Sequence, residues 1–207
     1  MTKPIFRHDI PKAKLWTPLD RDAVLRKIEA AGRTCYASEP GSSIDEAAEF
    51  VRRLVRKGHE SVLEHESASF LVTCSRACSH QLVRHRLCAY SQESQRFVRH
   101  GEDKPLEFYV PPAMEADQRE LLEEICNIAA LNYWLALPVG RPPQEARMLL
   151  PNATVTRLMV TANLRQWRHM IRQRTSPQAD AEIRELFWAI GEEFQRVLPE
   201  IFGEEER

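Results

Sequence analysis

The sequence predicts an α+β fold, with a mainly antiparallel sheet flanked by helices, one of them long. Three observations predict it. Apolar residues recur at helical spacing in several segments, including a long one at 115–137. Short runs rich in β-branched residues, such as 154–161, lie between these segments. No linker-like stretch divides the chain, so we expect one domain over residues 1–207 without a separable second domain.

Capping residues define two helices in the first half of the chain. Asp20 is predicted to cap a helix that ends near Gly32. Ser43 and Glu46 are predicted to form a capping box before a helix that Gly58 ends. The other elements predicted here are a strand ending at Leu15-Trp16, a strand at 67–74, a helix from Ser75 to near Arg86, a loop at 87–94 and a strand at 96–99.

The second half is predicted to hold the long helix and the last strand. Pro111 and Pro112 should end a strand at 107–110, because proline cannot continue a ladder of hydrogen bonds. Asn163 should cap a helix that ends near Arg174. The other elements predicted here are a helix at 115–137, a short helix at 142–150, a strand at 154–161 and a last helix at 178–198.

The composition is that of a soluble globular protein. Hydrophobic residues make up 43% and charged residues 29% of the 207 residues. The formal net charge of −1 argues against bulk attraction to nucleic acid. Five cysteines without disulfide spacing, and no signal peptide or long apolar run, predict a cytoplasmic protein without a membrane partner.

Two arginine-rich segments are the strongest functional signals. Arg84-His85-Arg86 is followed after seven residues by Ser94 and then by Arg96. Guanidinium groups suit phosphate, and the Ser and Gln side chains between them suit the edge of a heterocyclic ring. The second segment, 157–174, carries five arginines and no acid. Three alternatives remain open: a solvated basic helix face, a protein whose arginines serve only assembly, and a nucleic-acid-binding module without enzymatic activity.

The sequence does not support metal binding or catalysis by a nucleophilic side chain. His59 and His65 are six residues apart, whereas a zinc-binding helix needs two histidines four residues apart, so no metal is expected. Ser94 lies in no Gly-x-Ser-x-Gly elbow, and no cysteine has a nucleophile pattern. A glycine-rich phosphate loop is also missing. If the protein is an enzyme, we expect a cofactor to carry out the chemical step and side chains and helix ends to hold that cofactor.

Several ordered blocks resemble the flavin-dependent thymidylate synthases. Arg84-His85-Arg86 with Ser94 is similar to the signature of that family. The other blocks follow in the family's order: His59-Glu60-Ser61 with Glu64-His65, Phe108-Tyr109-Val110-Pro111, Ala146-Arg147 with Leu150-Pro151, Asn163-x-Arg165 with His169 and Arg174, and Gln178-Ala179 with Glu182-Ile183-Arg184. The resemblance extends from about Arg33 to Arg184.

The resemblance implies a single catalytic domain that converts dUMP to dTMP. In that family 5,10-methylenetetrahydrofolate supplies the carbon, reduced FAD supplies the hydride, and NADPH reduces the flavin. It also implies a homotetramer with active sites shared between subunits, no covalent attachment of the pyrimidine to the enzyme, and no nucleic-acid partner.

Roles for individual residues follow from the same resemblance. Arg174 is expected to polarise the uracil ring as the catalytic residue. The residues expected to bind dUMP are Gln81, Arg84, Gln92, Glu93, Ser94, Gln95, Arg96, Arg147 and Arg174. The residues expected to bind FAD are Ser61, Arg84, His85, Arg86, Gln92, Asn163, Arg165 and His169, with His59 bordering the flavin or folate. The chain departs from common forms of the family at Cys35, Ser91, Gln92 and Phe97.

Overall fold

The computed structural model describes residues 3–203 and mixes helices with short strands. The strands are β1 Ile5–Arg7, β2 Lys12–Leu15, β3 Ser67–Ser75, β4 Ala89–Gln92, β5 Glu107–Tyr109 and β6 Val155–Asn163. The helices are α1 Arg21–Cys35, α2 Ile44–Arg56, α3 Arg76–Leu82, α4 Ala116–Ala136, α5 Pro143–Ala146, α6 Leu164–Arg174, α7 Ala181–Val197 and α8 Pro199–Phe202. Short 3-10 helices occupy Glu60–His65 and Arg147–Leu149.

The main sheet has four strands in the order β2-β3-β6-β4. The chain segments that flank β3 and β6 pair in opposite directions: the Arg76 amide donates to the Thr154 carbonyl at 2.8 Å, and the Leu164 amide donates to the Glu66 carbonyl at 2.9 Å. This confirms the α+β prediction with a mainly antiparallel sheet and a long helix, α4. The exception is a separate pair, β1 and β5, which is parallel.

The chain forms two compact units. The first unit comprises Met1–Lys12, Val72–Arg84 and Ser91–Leu158, and its core includes the buried side chains of Phe108, Cys126, Ala130 and Tyr133. The second unit comprises Ala13–Leu71, His85–Tyr90 and Met159–Arg207. In its core the Phe70 ring lies 5.1 Å from the rings of Trp167 and Phe194. The expectation of a single domain stays a prediction.

The predicted caps are confirmed at four helices. The side chains of Asp20, Ser43, Ser75 and Asn163 each accept a backbone N–H in the first turn of their helix, which satisfies donors that have no partner within the helix. Gly58 has a φ of +70° just after α2, a conformation that favours glycine.

Two predicted elements and one predicted helix end are wrong for identifiable reasons. Residues 87–94 were predicted as a loop, but they contain β4, which pairs with β6. No strand forms at 96–99, where the amides of Phe97 and Val98 both donate to the Ser94 carbonyl in a turn. Helix α1 continues past Gly32 to Cys35. A Cβ at position 32 would lie 2.8 Å from Cε1 of Phe50, so only glycine leaves room for this ring. The glycine therefore permits close helix packing and does not end the helix.

The helix predicted after Ser75 is also shorter than expected. Helix α3 ends at Leu82, so Arg84, His85 and Arg86 follow the helix instead of forming its last turn. The backbone of these three residues is not helical, so their side chains need not follow the spacing of a helix. His85 is buried, whereas both arginines are exposed.

Candidate functional site

A histidine and an arginine from distant parts of the chain meet in the second unit. Arg174 is the last residue of α6, and its Nε donates to Nε2 of His85 at 2.9 Å. His85 is only 7% exposed. The Tyr90 hydroxyl donates to the backbone carbonyl of His85 at 3.0 Å, and the His169 ring packs edge-on with a centroid separation of 6.4 Å. The arginine is therefore held by a partner that is itself fixed.

The His85 imidazole is neutral at physiological pH. Burial lowers its pKa to about 4, and the nearby Arg174 and His169 add to the effect. In a neutral imidazole one nitrogen accepts and the other carries the proton. Because Nε2 accepts from Arg174, the proton belongs on Nδ1. The Arg174 guanidinium is thus oriented by a neutral partner, and a guanidinium suits an electron-rich ring or an anion.

A cavity of about 290 Å³ lies in the same unit beside the 3-10 helix Glu60–His65. It is lined by Ser61 and Arg165, which are expected to bind FAD, by His59, which is expected to border the flavin or folate, and by Cys35 and Tyr36. The Arg165 guanidinium pairs with the Glu64 carboxylate, and both side chains are about half exposed. An exposed ion pair of this kind is worth little, so Arg165 can exchange its partner for a ligand phosphate.

Glu60 gathers the neighbouring arginines of α6. Its Oε1 accepts from Nε of Arg168 at 3.1 Å and from Nη1 of Arg172 at 2.9 Å. Burial would raise the pKa of Glu60, but the two arginines hold it below its ordinary value. Arg168 is 3% exposed and also donates to the Ile201 carbonyl. The acid-free appearance of segment 157–174 was therefore misleading, because acids from elsewhere in the chain pair with its arginines.

The same holds for Arg157 in the first unit. Its guanidinium lies 3.0 Å from Glu107 and 3.5 Å from Glu93, and the Lys104 ammonium lies 3.2 Å from Glu93. Glu93, expected to bind dUMP, is thus the centre of an ion-pair cluster. These ion pairs hold the Glu93 carboxylate in place just before the turn that follows β4.

The remaining residues expected to bind dUMP also lie in the first unit. The Gln92 amide nitrogen donates to the hydroxyls of Ser79 and Thr156, at 3.0 and 3.2 Å. The Ser94 hydroxyl accepts the Arg96 amide at 3.2 Å. These bonds leave the side-chain carbonyl of Gln92 available, and within the described residues the Ser94 hydroxyl bonds to a backbone amide and not to a base. The Ser94 hydroxyl is thus suited to positioning a ligand and not to nucleophilic attack.

The structure groups the predicted residues by unit. The first unit holds Gln81, Arg84, Gln92, Glu93, Ser94, Gln95, Arg96 and Arg147, and the second holds His59, Ser61, His85, Arg86, Asn163, Arg165, His169 and Arg174. Arg84, Arg86, Arg96 and Arg147 are all exposed. Asn163 uses its side-chain oxygen to cap α6, accepting the Gln166 amide at 2.8 Å.

Sequence reasoning missed the supporting residues Tyr90, Glu60 and Tyr36. Glu60 lay within the His59-Glu60-Ser61 run, but its two arginine partners are more than 100 positions away. No local pattern could reveal that pairing. Within residues 3–203, no three His, Cys, Asp or Glu residues cluster in a way that could hold a metal ion.

Comparisons with known proteins identify the family. The family described as thymidylate synthase complementing protein matches residues 20–200. A flavin-dependent thymidylate synthase of Mycobacterium tuberculosis is 40% identical over 95% of this chain and 83% of its own length. One of Mycobacteroides abscessus is 39% identical over 89% of this chain and 81% of its own length.

A solved structure shares the fold. The UMP/dUMP methylase PolB from Streptomyces cacaoi, bound with 5-Br dUMP, superposes with a TM-score of 0.83 at 24% identity. The superposition covers 96% of this chain and 95% of the PolB chain.

Proposed function

Because this chain belongs to the family of flavin-dependent thymidylate synthases, we propose that the residues described above bind dUMP and FAD for the reductive methylation of dUMP to dTMP. The observation that carries the proposal is the identity of 40% to a flavin-dependent thymidylate synthase over 95% of the chain. The protein is an enzyme, with 5,10-methylenetetrahydrofolate as the carbon donor and NADPH as the source of electrons.

The cavity at His59, Ser61 and Arg165 has the chemistry to hold FAD. A guanidinium and a hydroxyl suit the diphosphate, and the Tyr36 ring offers a surface for stacking. FAD, when bound, supplies the hydride. Cys35 lies at the same cavity, and its thiol is a weaker hydrogen-bond donor than the hydroxyl common in the family. Arg165 and Ser61 therefore provide the main polar contacts on this side.

Arg174 is proposed to act on the pyrimidine. A fixed cation at the N3–O4 edge favours the ionised form of uracil and raises electron density at C5. His85 contributes by accepting one of the N–H groups of Arg174 without neutralising its charge. A carboxylate in the same place would remove the positive charge that the reaction needs. The neutral histidine thus orients the guanidinium without placing a negative charge beside it.

The phosphate of dUMP is proposed to bind the exposed guanidinium groups of the first unit. Arg84, Arg96 and Arg147 are all exposed. Arg147 is oriented by donation from its Nε to the Gln144 carbonyl at 3.2 Å. The Ser94 hydroxyl and the Gln92 carbonyl add neutral acceptors, which suit the sugar or base.

Assembly into a homotetramer is supported by one face of α4. Leu121, Ile125, Ile128, Leu131 and Leu135 are between 39% and 57% exposed and recur at intervals of three and four residues. This stripe lies opposite the buried face of the helix. Acidic residues crowd the first half of α4, and the second half carries no charge. An antiparallel pairing of two copies keeps the acids apart, so we propose that this stripe joins subunits.

The proposed location is the cytoplasm. The five cysteines are free, as expected in a reducing compartment. No helix among the described residues combines the length and the apolar run needed to cross a bilayer.

One assay tests the proposal directly. Purified protein should carry, or be reconstituted with, FAD, and the flavin spectrum should change when dUMP is added. Tritium should be released from 5-tritiated dUMP when NADPH and methylenetetrahydrofolate are both present, and not when either is left out. A colourless protein that cannot be loaded with FAD would contradict the proposal.

The nucleic-acid-binding alternative predicts affinity that falls steeply with salt. It relied on a surface of unpaired arginines, but Glu60, Glu64 and Glu107 pair with several of them. The arrangement therefore does not favour it.

A further inference from the structure

The last block of the family resemblance, Gln178-Ala179 with Glu182-Ile183-Arg184, has no role in the proposed function. Arg184 is the fourth residue of α7, in the second unit. Its Nη1 donates to the carbonyl of Pro177 at 3.2 Å and to the carbonyl of Ala179 at 3.3 Å. Arg184 therefore ties the first turn of α7 to the segment that precedes this helix.

The Arg184 side chain is held in a defined position. Its Nε is shielded from solvent, and the guanidinium carbon lies 5.5 Å from the centroid of the Trp188 ring, one turn further along α7. A planar guanidinium fixed in this way presents its N–H groups in a set direction. The two carbonyls are therefore held by a donor that is itself fixed.

The segment that Arg184 holds leads directly to Arg174. Residues 175–180 join Arg174, the last residue of α6, to the first residue of α7. The Thr175 amide still bonds back to α6, at 2.9 Å. Two residues separate Arg174 from Pro177. A shift of Pro177 is therefore passed to the last turn of α6 and to the backbone of Arg174.

Arg174 tolerates little displacement. Its Nε meets Nε2 of His85 at 2.9 Å, and the Tyr90 hydroxyl fixes the backbone of His85. The imidazole end of this contact is thus set by β4, and the guanidinium end by the C-terminus of α6. In an active site a misplacement of about 1 Å can lower the rate about 100-fold. The turn after α6 must therefore be held as firmly as His85.

We propose that Arg184 is a positioning residue for Arg174. It holds the carbonyls of Pro177 and Ala179, which fixes the turn after α6 and, through that turn, the place of the Arg174 guanidinium at the pyrimidine. Arg184 acts through Arg174 and not on the substrate itself. The inference rests on the proposed catalytic role of Arg174.

Replacement of Arg184 tests this. Arg184→Ala removes the donor to both carbonyls and should lower kcat for dUMP about tenfold, while bound FAD stays unchanged. The matched control is Arg196→Ala, at an exposed arginine of the same helix that pairs with Glu193, and it should keep kcat within about twofold of the parent. Arg184→Lys keeps one charged donor and should lower kcat about threefold, so it replaces Arg184→Ala in every comparison if that variant does not fold.

A double-mutant cycle separates positioning from a general structural role. Once residue 174 is alanine, Arg184 has no guanidinium left to position. Adding Arg184→Ala to Arg174→Ala should therefore lower the residual kcat less than about twofold, whereas independent effects would multiply. A further tenfold loss in the double variant would overturn the proposal, as would an unchanged kcat in Arg184→Ala or equal losses of kcat and bound FAD.

A measurement without substrate distinguishes this proposal from the proposed function. NMR of FAD-loaded protein with isotope-labelled histidine follows the protonation of His85, whose signal is the one lost in His85→Gln. Displacement of Arg174 admits water to the imidazole and removes a nearby positive charge. The pKa of His85 should therefore rise from about 4 by about one unit or more in Arg184→Ala, and it should keep its parent value in Arg196→Ala.

The two possible failures give different results. An unchanged pKa of His85 in Arg184→Ala would overturn the positioning role, whatever the activity of the parent. A raised pKa in a protein that does not methylate dUMP would contradict the proposed function and still support Arg184 as the residue that positions Arg174 against His85.

Discussion

Replacing His85 with glutamine should make the protein more resistant to acid. Unfolded, this histidine binds a proton near its ordinary pKa of 6.5, whereas the folded protein holds its pKa at about 4. The unfolded state therefore binds more protons between these values, and the free energy of unfolding falls as the pH drops below about 6.5. Above that pH neither state is protonated and the histidine has no such effect.

The size of the effect follows from the two pKa values. At pH 5 they correspond to a loss of about 2 kcal/mol, and residual hydration of the ring reduces this to about 1–2 kcal/mol. Glutamine can still accept from Nε of Arg174 but takes up no proton. His85→Gln should therefore lose about 1–2 kcal/mol less than the parent protein between pH 7.5 and pH 5.

Urea unfolding of the flavin-free protein at the two pH values measures this difference. His8→Gln, at an exposed histidine, is the matched control and should follow the parent. Carboxylates that titrate in the same range contribute equally to all three proteins and cancel. If His85→Gln loses as much stability as the parent on acidification, His85 is not held neutral and the assignment of Arg174 as its donor is wrong.

Three further outcomes are expected. Arg174→Ala should lower turnover of dUMP by about 100-fold or more with little loss of bound flavin, and equal losses of both would refute its position at the pyrimidine. Glu60→Gln should lower the free energy of unfolding by about 3 kcal/mol, because it removes the carboxylate that pairs with the buried guanidinium of Arg168, whereas Glu64→Gln, at an exposed pair, should cost less than about 0.5 kcal/mol in the same urea titration. Ile128→Glu should yield smaller assemblies in sedimentation velocity, and an unchanged assembly would exclude the α4 stripe as an interface.

Helix starts were predictable because caps act locally. Asp20, Ser43 and Asn163 each bond to an amide two or three residues ahead, so sequence and structure report the same interaction. The end of α1 was predicted wrongly at Gly32, because this glycine makes room for Phe50 of α2 and does not end the helix. Strand β4 was missed for a similar reason, since its four residues are a strand only by pairing with β6.

The candidate site was predictable in composition but not in its partnerships. The resemblance supplied the residue types, and the structure brings His59, Ser61 and Arg165 to one cavity. It could not reveal that Glu60 pairs with two arginines or that His85 receives a hydrogen bond from Arg174, because these contacts join residues about 90 to 110 positions apart. Charge along a segment therefore says little about which guanidinium groups remain for a ligand.

Arg84, His85 and Arg86 are adjacent in the sequence but have different surroundings in the structure. The run crosses from one unit to the other between Arg84 and His85. Arg84 and Arg86 are exposed cations, while His85 is buried, neutral and bonded to Arg174. An arginine in place of His85 would set a buried guanidinium group against the guanidinium of Arg174, and a carboxylate there would form an ion pair with Arg174. Histidine meets both conditions, since at neutral pH it is an uncharged acceptor with the shape to fill a buried site. Its proposed role is to orient the catalytic cation, which the surrounding arginines could not do.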